Sequence, residues 1–176
     1  MKIFGKIAGV IMGILLILFG LTFIGGDMTT LKHEIKINAS KGQVFSTLAN
    51  LELVEKYNPG VVSAHYISTE HNGVGAAREC DIGKEGKIRE RVTGFEDGKF
   101  ISMELYEHSW PLEFMYWKTV VERVNNATVV SQTIEYKVKF GILGTLLDKL
   151  VMKNNLDKSM NEIFKSMKNY IEKNDA

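Results

Sequence analysis

The longest stretch with a helical repeat runs from Phe140 to Glu172, and it constrains what every residue before it must do. Leu143, Leu146, Leu147 and Leu150 form one apolar stripe, and Leu156, Met160, Ile163, Phe164, Met167 and Ile171 form a second. Lys149, Lys153, Asp157, Lys158, Glu162, Lys165 and Lys168 fill the opposite sides. The phase slips at Asn154 and Asn155, which predicts a bend there or two helices end to end, with Gly141 and Gly144 loosening the start. A helix with one apolar face is not stable alone in water, so roughly thirty residues of stripe need a cover. The strand-like sequence upstream is the candidate cover.

That upstream sequence opens with Leu31, His33, Ile35 and Ile37 alternating with Lys32, Glu34, Lys36 and Asn38, a half-buried strand. Ser40 and Gln43 suit a capping box for a short helix through Val44, Phe45 and Leu48. Asn50 suits the cap of a second one through Leu51, Val54 and Tyr57, stopped by Pro59-Gly60. Six more strands are expected between Val61 and Lys139, and the turns between them set the register. A three-residue loop Lys84-Glu85-Gly86 opposes Ile82 to Ile88, Cys80 to Glu90 and Arg78 to Val92. A two-residue turn at Asp97-Gly98 opposes Val92 to Met103 and Glu90 to Leu105, and one at Asn125-Asn126 opposes Val121 to Val130, Thr119 to Gln132, Trp117 to Ile134 and Met115 to Tyr136. All three hairpins turn one set of residues inward. The expected class is α+β, a seven-stranded curved antiparallel sheet gripping the long final helix.

A different pattern occupies the N-terminus, where Ile7 to Ile24 carries no charge and as a helix reaches about 27 Å, close to a bilayer's hydrocarbon core. A cleaved signal peptide has a shorter apolar run and small residues before the cut, and Ile24 sits where a small residue is wanted for a cut after Gly26. The expectation is an uncleaved transmembrane anchor over residues 1–28 and a domain over 29–176. Lys2 and Lys6 before the run favour a cytoplasmic N-terminus and an extracytoplasmic domain. Gly5, Gly9 and Gly13 share one side of this helix, a spacing that lets two membrane helices approach and dimerise. Setting Lys2 and Lys6 aside from the 22 basic side chains leaves 20 against 21 acidic ones, which excludes the basic surface of a nucleic-acid binder. Cys80 is the sole cysteine, so no intrachain disulfide forms.

The order of elements, together with Gly73-Val74-Gly75-Ala76-Ala77-Arg78, the Arg89-Glu90-Arg91-Val92 strand, the Phe95-Glu96-Asp97-Gly98 turn and the terminal Leu156-to-Glu172 helix, resembles the polyketide cyclase/dehydrase and lipid-transport family of the START-like SRPBCC superfamily. The resemblance covers residues 31 to 173 and rests on pattern and order. It implies a helix-grip fold with a hydrophobic cavity between sheet and long helix, and it carries no catalytic residue across. The anchor departs from the commoner soluble members.

The inward face supplies the candidate ligand-binding residues Arg78, Glu90, Met103, Leu105, Met115, Trp117, Thr119, Gln132, Ile134 and Tyr136. Glu90 is the most informative, because a carboxylate on an apolar face must pair, neutralise or serve a ligand. Arg78, two places along the neighbouring strand, is its nearest cation. An ion pair fixing the sheet is the first reading, with ligand contact and proton transfer as alternatives. Trp117 suits a cavity wall or packing on the long helix, and Gln132 and Tyr136 suit polar anchors. His33, His65, His71 and His108 lack metal-ligand spacing, and neither a serine elbow nor a phosphate loop is present, so no metal or cofactor is expected. The expected function is a membrane-tethered domain binding a hydrophobic small molecule or lipid. The alternatives are a cyclase- or dehydratase-type enzyme and a structural domain with a filled cavity.

Overall fold

The computed structural model describes residues 2–22 and 24–174, the side chains of residues 2–5 and 8 excepted. Seven strands, β1 (Met28–Ile37), β2 (Ser63–Tyr66), β3 (Ala77–Asp81), β4 (Lys87–Glu96), β5 (Phe100–Glu107), β6 (Leu112–Val124) and β7 (Ala127–Val138), form one antiparallel sheet in the order β1-β7-β6-β5-β4-β3-β2. Helix α1 (Lys2–Leu21) precedes the sheet, α2 (Lys41–Ala49) and α3 (Val54–Tyr57) cross from β1 to β2, and α4 (Gly141–Leu147) and α5 (Lys153–Asn174) close the chain. The long helix lies against the concave apolar face of the curved sheet, which is the helix-grip arrangement.

Local chemistry explains the crossing helices. The Ser40 hydroxyl accepts from the Gln43 amide at 3.2 Å, satisfying a donor that the helix itself leaves open. The Asn50 side chain does the same for the Glu52 amide at 3.2 Å and starts a single 3₁₀ turn, Leu51–Leu53, that runs into α3. Val44, Leu51 and Val54 then bury themselves in the core.

Two of the three hairpin registers differ in detail from expectation, and both differences have a backbone cause. Between β3 and β4 the chain takes a 3₁₀ turn over Gly83–Glu85, with Gly83 and Gly86 at positive φ, so the loop is longer than three residues. Cys80 therefore opposes Ile88, and Arg78 opposes Glu90 directly rather than lying two places away. A shift of two preserves the face of every side chain, so the inward set survives. Between β4 and β5, Glu96 pairs with Phe100 across a three-residue loop, and an irregularity between Val92 and Gly94 restores the expected pairs Val92 with Met103 and Glu90 with Leu105. The Asn125-Asn126 turn gives every pair anticipated for β6 and β7, with Asn125 at φ 55.

The C-terminal helix corrects the expectation of a slip at Asn154 and Asn155. Inward positions recur every four residues, at Gly144, Asp148, Met152, Leu156, Met160 and Phe164, and a row spaced by four falls behind an α-helix of 3.6 residues per turn. A five-residue π-helical segment, Asp148–Met152, takes up that lag without a break. The second apolar stripe packs as expected, with Met160, Phe164, Met167 and Ile171 buried. The first does not. Leu146, Leu147 and Leu150 are 53%, 42% and 67% exposed, while Gly144 and Asp148 face the protein. Gly144 lies so close to the Lys139 carbonyl that no side chain larger than hydrogen fits there, and this fixes which side of α4 turns inward.

Helix α1 also ends earlier than its apolar sequence allows. The Thr22 hydroxyl and amide both turn back to the Phe19 carbonyl, and the charge-free part of the helix, Ile7 to Leu21, reaches about 22 Å. Among the described residues no helix is long and apolar enough to cross a membrane, which corrects the expected transmembrane helix. Gly9 and Gly13 face open space, and the surroundings of Gly5 lie outside the described residues.

Phe164 is 5% exposed in the seam and Lys165 beside it points to solvent. Phe164→Asp should cost about 3 kcal/mol or more and lower the melting temperature by about 6 °C or more, whereas Lys165→Asp should leave it within about 2 °C. Equal melting temperatures for the two variants would show that the gripping face is wrongly placed.

Candidate ligand-binding cavity

Between the sheet and α5 lies a cavity of about 380 Å³. Its floor is β-sheet, with Ile101 and Met103 from β5, Met115, Trp117 and Thr119 from β6, and Val130, Gln132 and Ile134 from β7. Its roof is α5, through Leu156, Met160, Ile163, Phe164 and Met167. Strand alternation puts every second residue of three adjacent strands on one wall, so the apolar lining follows from the sequence period. Exposed or half-buried lining residues, Asn58, Gly60, Val61, Ile82, Glu85 and Trp110, mark the side that meets solvent. There the Trp110 indole Nε1 donates to Glu85 Oε2 at 3.1 Å and ties two loops across the mouth.

Of the ten expected site residues, Arg78, Met103, Met115, Trp117, Thr119, Gln132 and Ile134 line the cavity. Glu90, Leu105 and Tyr136 are buried on the inner face without lining it. Glu90 stands behind Arg78, whose Nε donates to Glu90 Oε2 at 2.5 Å and whose Nη1 donates to the Leu51 carbonyl at 2.8 Å. Burial is the strongest influence and works against the Arg78 charge, but the facing Glu90 carboxylate, together with the neighbouring Cys80 and Tyr57, holds the guanidinium above its ordinary pKa. The pair fixes β3 to β4 and to the turn at Leu51. Tyr136 is drawn away from the cavity, because its hydroxyl donates to Asp148 Oδ1 at 2.6 Å while the Thr29 hydroxyl donates to Asp148 Oδ2 at 2.5 Å. That cluster anchors the π-helical segment to β7 and β1, and burial raises the Tyr136 pKa above its usual value.

Besides Arg78, the polar side chains on the lining are Tyr57, Asn58, Glu85, Thr119, Gln132 and Ser159. Gln132 Nε2 donates to Thr119 Oγ1 at 2.8 Å, and Gln132 Oε1 is buried without a hydrogen-bond partner. Cys80, beside Glu90, is a buried free thiol that burial pushes up to about 12. His33 meets Asp157 at 3.0 Å outside the cavity lining, and among the described residues no three His, Cys, Asp or Glu side chains come together as metal ligands would. Sequence reasoning missed the mouth. Trp110 and Glu85 sit in loops, where alternation gives no facing, while Ile82, expected opposite Ile88 on the inward face, lies in the longer loop and lines the mouth.

A curved antiparallel sheet closed over one long helix, with an apolar hollow between them, defines a helix-grip ligand-cavity protein. Residues 28–172 match the family described as polyketide cyclase / dehydrase and lipid transport, and the chain belongs to it and so to the SRPBCC superfamily. Solved structures of the same shape include Ara h 8.0201, at 16% identity and TM-score 0.65, covering 82% of this chain and 98% of that one. TTHA0849 from Thermus thermophilus is similar at 20% identity and TM-score 0.69, with 84% and 100% covered. The Zhui aromatase/cyclase from Streptomyces sp. R1128 is similar at 11% identity and TM-score 0.71, with 83% and 94% covered. At these identities the likeness establishes the fold. No curated protein sequence matches the chain.

Two measurements check the buried charges. Glu90→Gln leaves the Arg78 charge buried without its counter-ion and should cost about 3 kcal/mol or more, while the double change Arg78→Met with Glu90→Leu should recover most of that loss. Additive losses in the double variant would mean the two side chains do not act as a pair. A thiol raised to about 12 stays neutral in the folded chain at pH 9, so Cys80 should resist iodoacetamide there and react once urea unfolds the protein. With the folded pKa above the usual value of about 8.5, stability should be complete below that pH and fall as pH climbs toward about 12.

Proposed function

We propose that this protein is a membrane-tethered binding domain that takes up a hydrophobic small molecule or lipid in the cavity between its sheet and α5. The observation that carries the reading is the hollow of about 380 Å³, open at its mouth and with a largely apolar wall, a size and lining suited to one small apolar ligand. The family description, which includes lipid transport, supports the same class of ligand. Arg78, the charged group of the sheet wall, is already engaged by Glu90 and the Leu51 carbonyl, which favours binding over proton-transfer chemistry. Tethering is supported by α1, whose side chains from Val10 to Phe19 stand largely exposed to solvent and would be covered by lipid. An inserted apolar helix suffices for attachment. Gly5, Gly9 and Gly13 share one side of that helix, a spacing on which two such helices pair closely.

The test joins vesicle flotation with binding of an apolar fluorescent probe. The full chain should float with vesicles and bind the probe, and Met103→Trp, which adds bulk to the cavity floor, should weaken binding tenfold or more, about 1.4 kcal/mol, at an unchanged melting temperature. Probe affinity indifferent to Met103→Trp would place the probe elsewhere and remove the cavity's role.

A further inference from the structure

We propose that the outward face of α4 and of the π-helical segment is a membrane-docking surface that seats the cavity mouth on the bilayer. It rests on the reading of α1 as a membrane attachment and extends that reading to the folded domain.

The carrying observation is that this part of the chain is inside out. A helix on the surface of a water-soluble domain turns its polar side outward. From Phe140 to Val151 the only acidic residue is Asp148, and it is 3% exposed, facing inward to Tyr136 and Thr29. The outward side instead presents Phe140, Ile142, Leu146, Leu147, Leu150 and Val151, each more than two-fifths exposed, with Lys149 the one exposed charge among them. A contiguous apolar face of that kind marks a surface built to be covered. Lys139 and Lys153 bound the stretch, exposed and without an ion pair among the described residues, as suits anionic headgroups at its margins.

Continuity with α1 decides what covers it. The segment after α1 is pinned to α4, with the Ile142 amide donating to the Ile24 carbonyl at 3.1 Å, the Asp27 amide donating to Thr145 Oγ1 at 2.9 Å, and Lys149 meeting Asp27 at 3.4 Å. Gly26 lies against Gly141 and Thr145 with no room for a side chain. If α1 is in lipid, α4 therefore sits at the lipid surface. The cavity mouth is next to it, because the Lys139 amide donates to the Pro111 carbonyl at 2.9 Å, and these two residues directly adjoin Phe140 of the docking face and Trp110 of the mouth. An apolar ligand then passes between bilayer and cavity without crossing open water.

Cys80 is buried with a raised thiol pKa, so a single introduced cysteine can be labelled selectively. Full-length Leu150→Cys, carrying an environment-sensitive fluorophore, is reconstituted into phosphatidylcholine/phosphatidylglycerol vesicles with brominated acyl chains, beside the same label at Lys118→Cys on the outer sheet face. Quenching of the Leu150 label to half or less, with the Lys118 label unchanged, is the expected result. Leu146→Glu with Leu150→Glu should also slow transfer of the apolar probe from vesicles fivefold or more at an unchanged melting temperature. Flotation with an unquenched Leu150 label would overturn the docking surface and leave the tether standing, and failure to float would overturn both. Self-association in detergent that is lost in the double glutamate variant, without quenching, would assign the face to a second copy and reject the bilayer.

Discussion

One helix has to cover the concave face of seven strands, and it is too narrow to do so completely. A helix with its side chains is about 10–12 Å across, whereas seven strands at about 4.8 Å spacing make a far wider sheet. Helix α5 packs on the sheet with Met160, Phe164, Met167 and Ile171, and α2, the 3₁₀ turn and α3 cover part of the remainder with Val44, Leu51 and Val54. Where the curved sheet stands away from Leu156, Met160, Ile163, Phe164 and Met167 of α5, the hollow remains between them. The cavity is thus the geometric remainder of the packing, and its apolar wall is the same alternating set of residues that forms the core elsewhere.

The polar groups on that inner face are consistent with this origin. Arg78 and Glu90 are held to each other, and Arg78 also to the Leu51 carbonyl, so two charges that burial would otherwise penalise become a fixed joint between β3, β4 and the crossing segment. Among the described residues Asp148 meets no cation but accepts from two hydroxyls, Tyr136 and Thr29, which joins β1 and β7 to the start of the long helix. Both carboxylates are engaged as ties between elements.

Much of this was legible in the sequence, and the parts that were not share a cause. The inward set was readable because period-two alternation survives a register shift of two, as at Arg78 and Glu90, and because the Asn125-Asn126 turn admits one register. The second helical stripe was readable because its residues are apolar at helical spacing. The exposed Leu146, Leu147 and Leu150 were not, since hydropathy alone cannot tell an apolar side chain facing a core from one facing lipid. What decided the facing was Gly144 against the Lys139 carbonyl and Asp148 against Tyr136, contacts between distant residues that no local pattern encodes. Tyr136 left the cavity for the same reason, and the mouth residues Trp110 and Glu85 lie in loops without a period.

The sheet order has a consequence for how the chain is made. Strand β1 pairs with β7 alone, Ile37 meeting Thr128 and Met28 meeting Lys137. The first strand synthesised is therefore without its partner until about a hundred further residues have left the ribosome. At roughly 5–20 residues per second that is a wait of about 5–20 s, long against the microseconds in which a hairpin forms. Throughout it the apolar side of β1, with Leu31, Ile35 and Ile37, has no sheet to join. Holding the N-terminal end of the nascent chain at a bilayer would keep that unfinished edge apart from other chains until β7 arrives to close it.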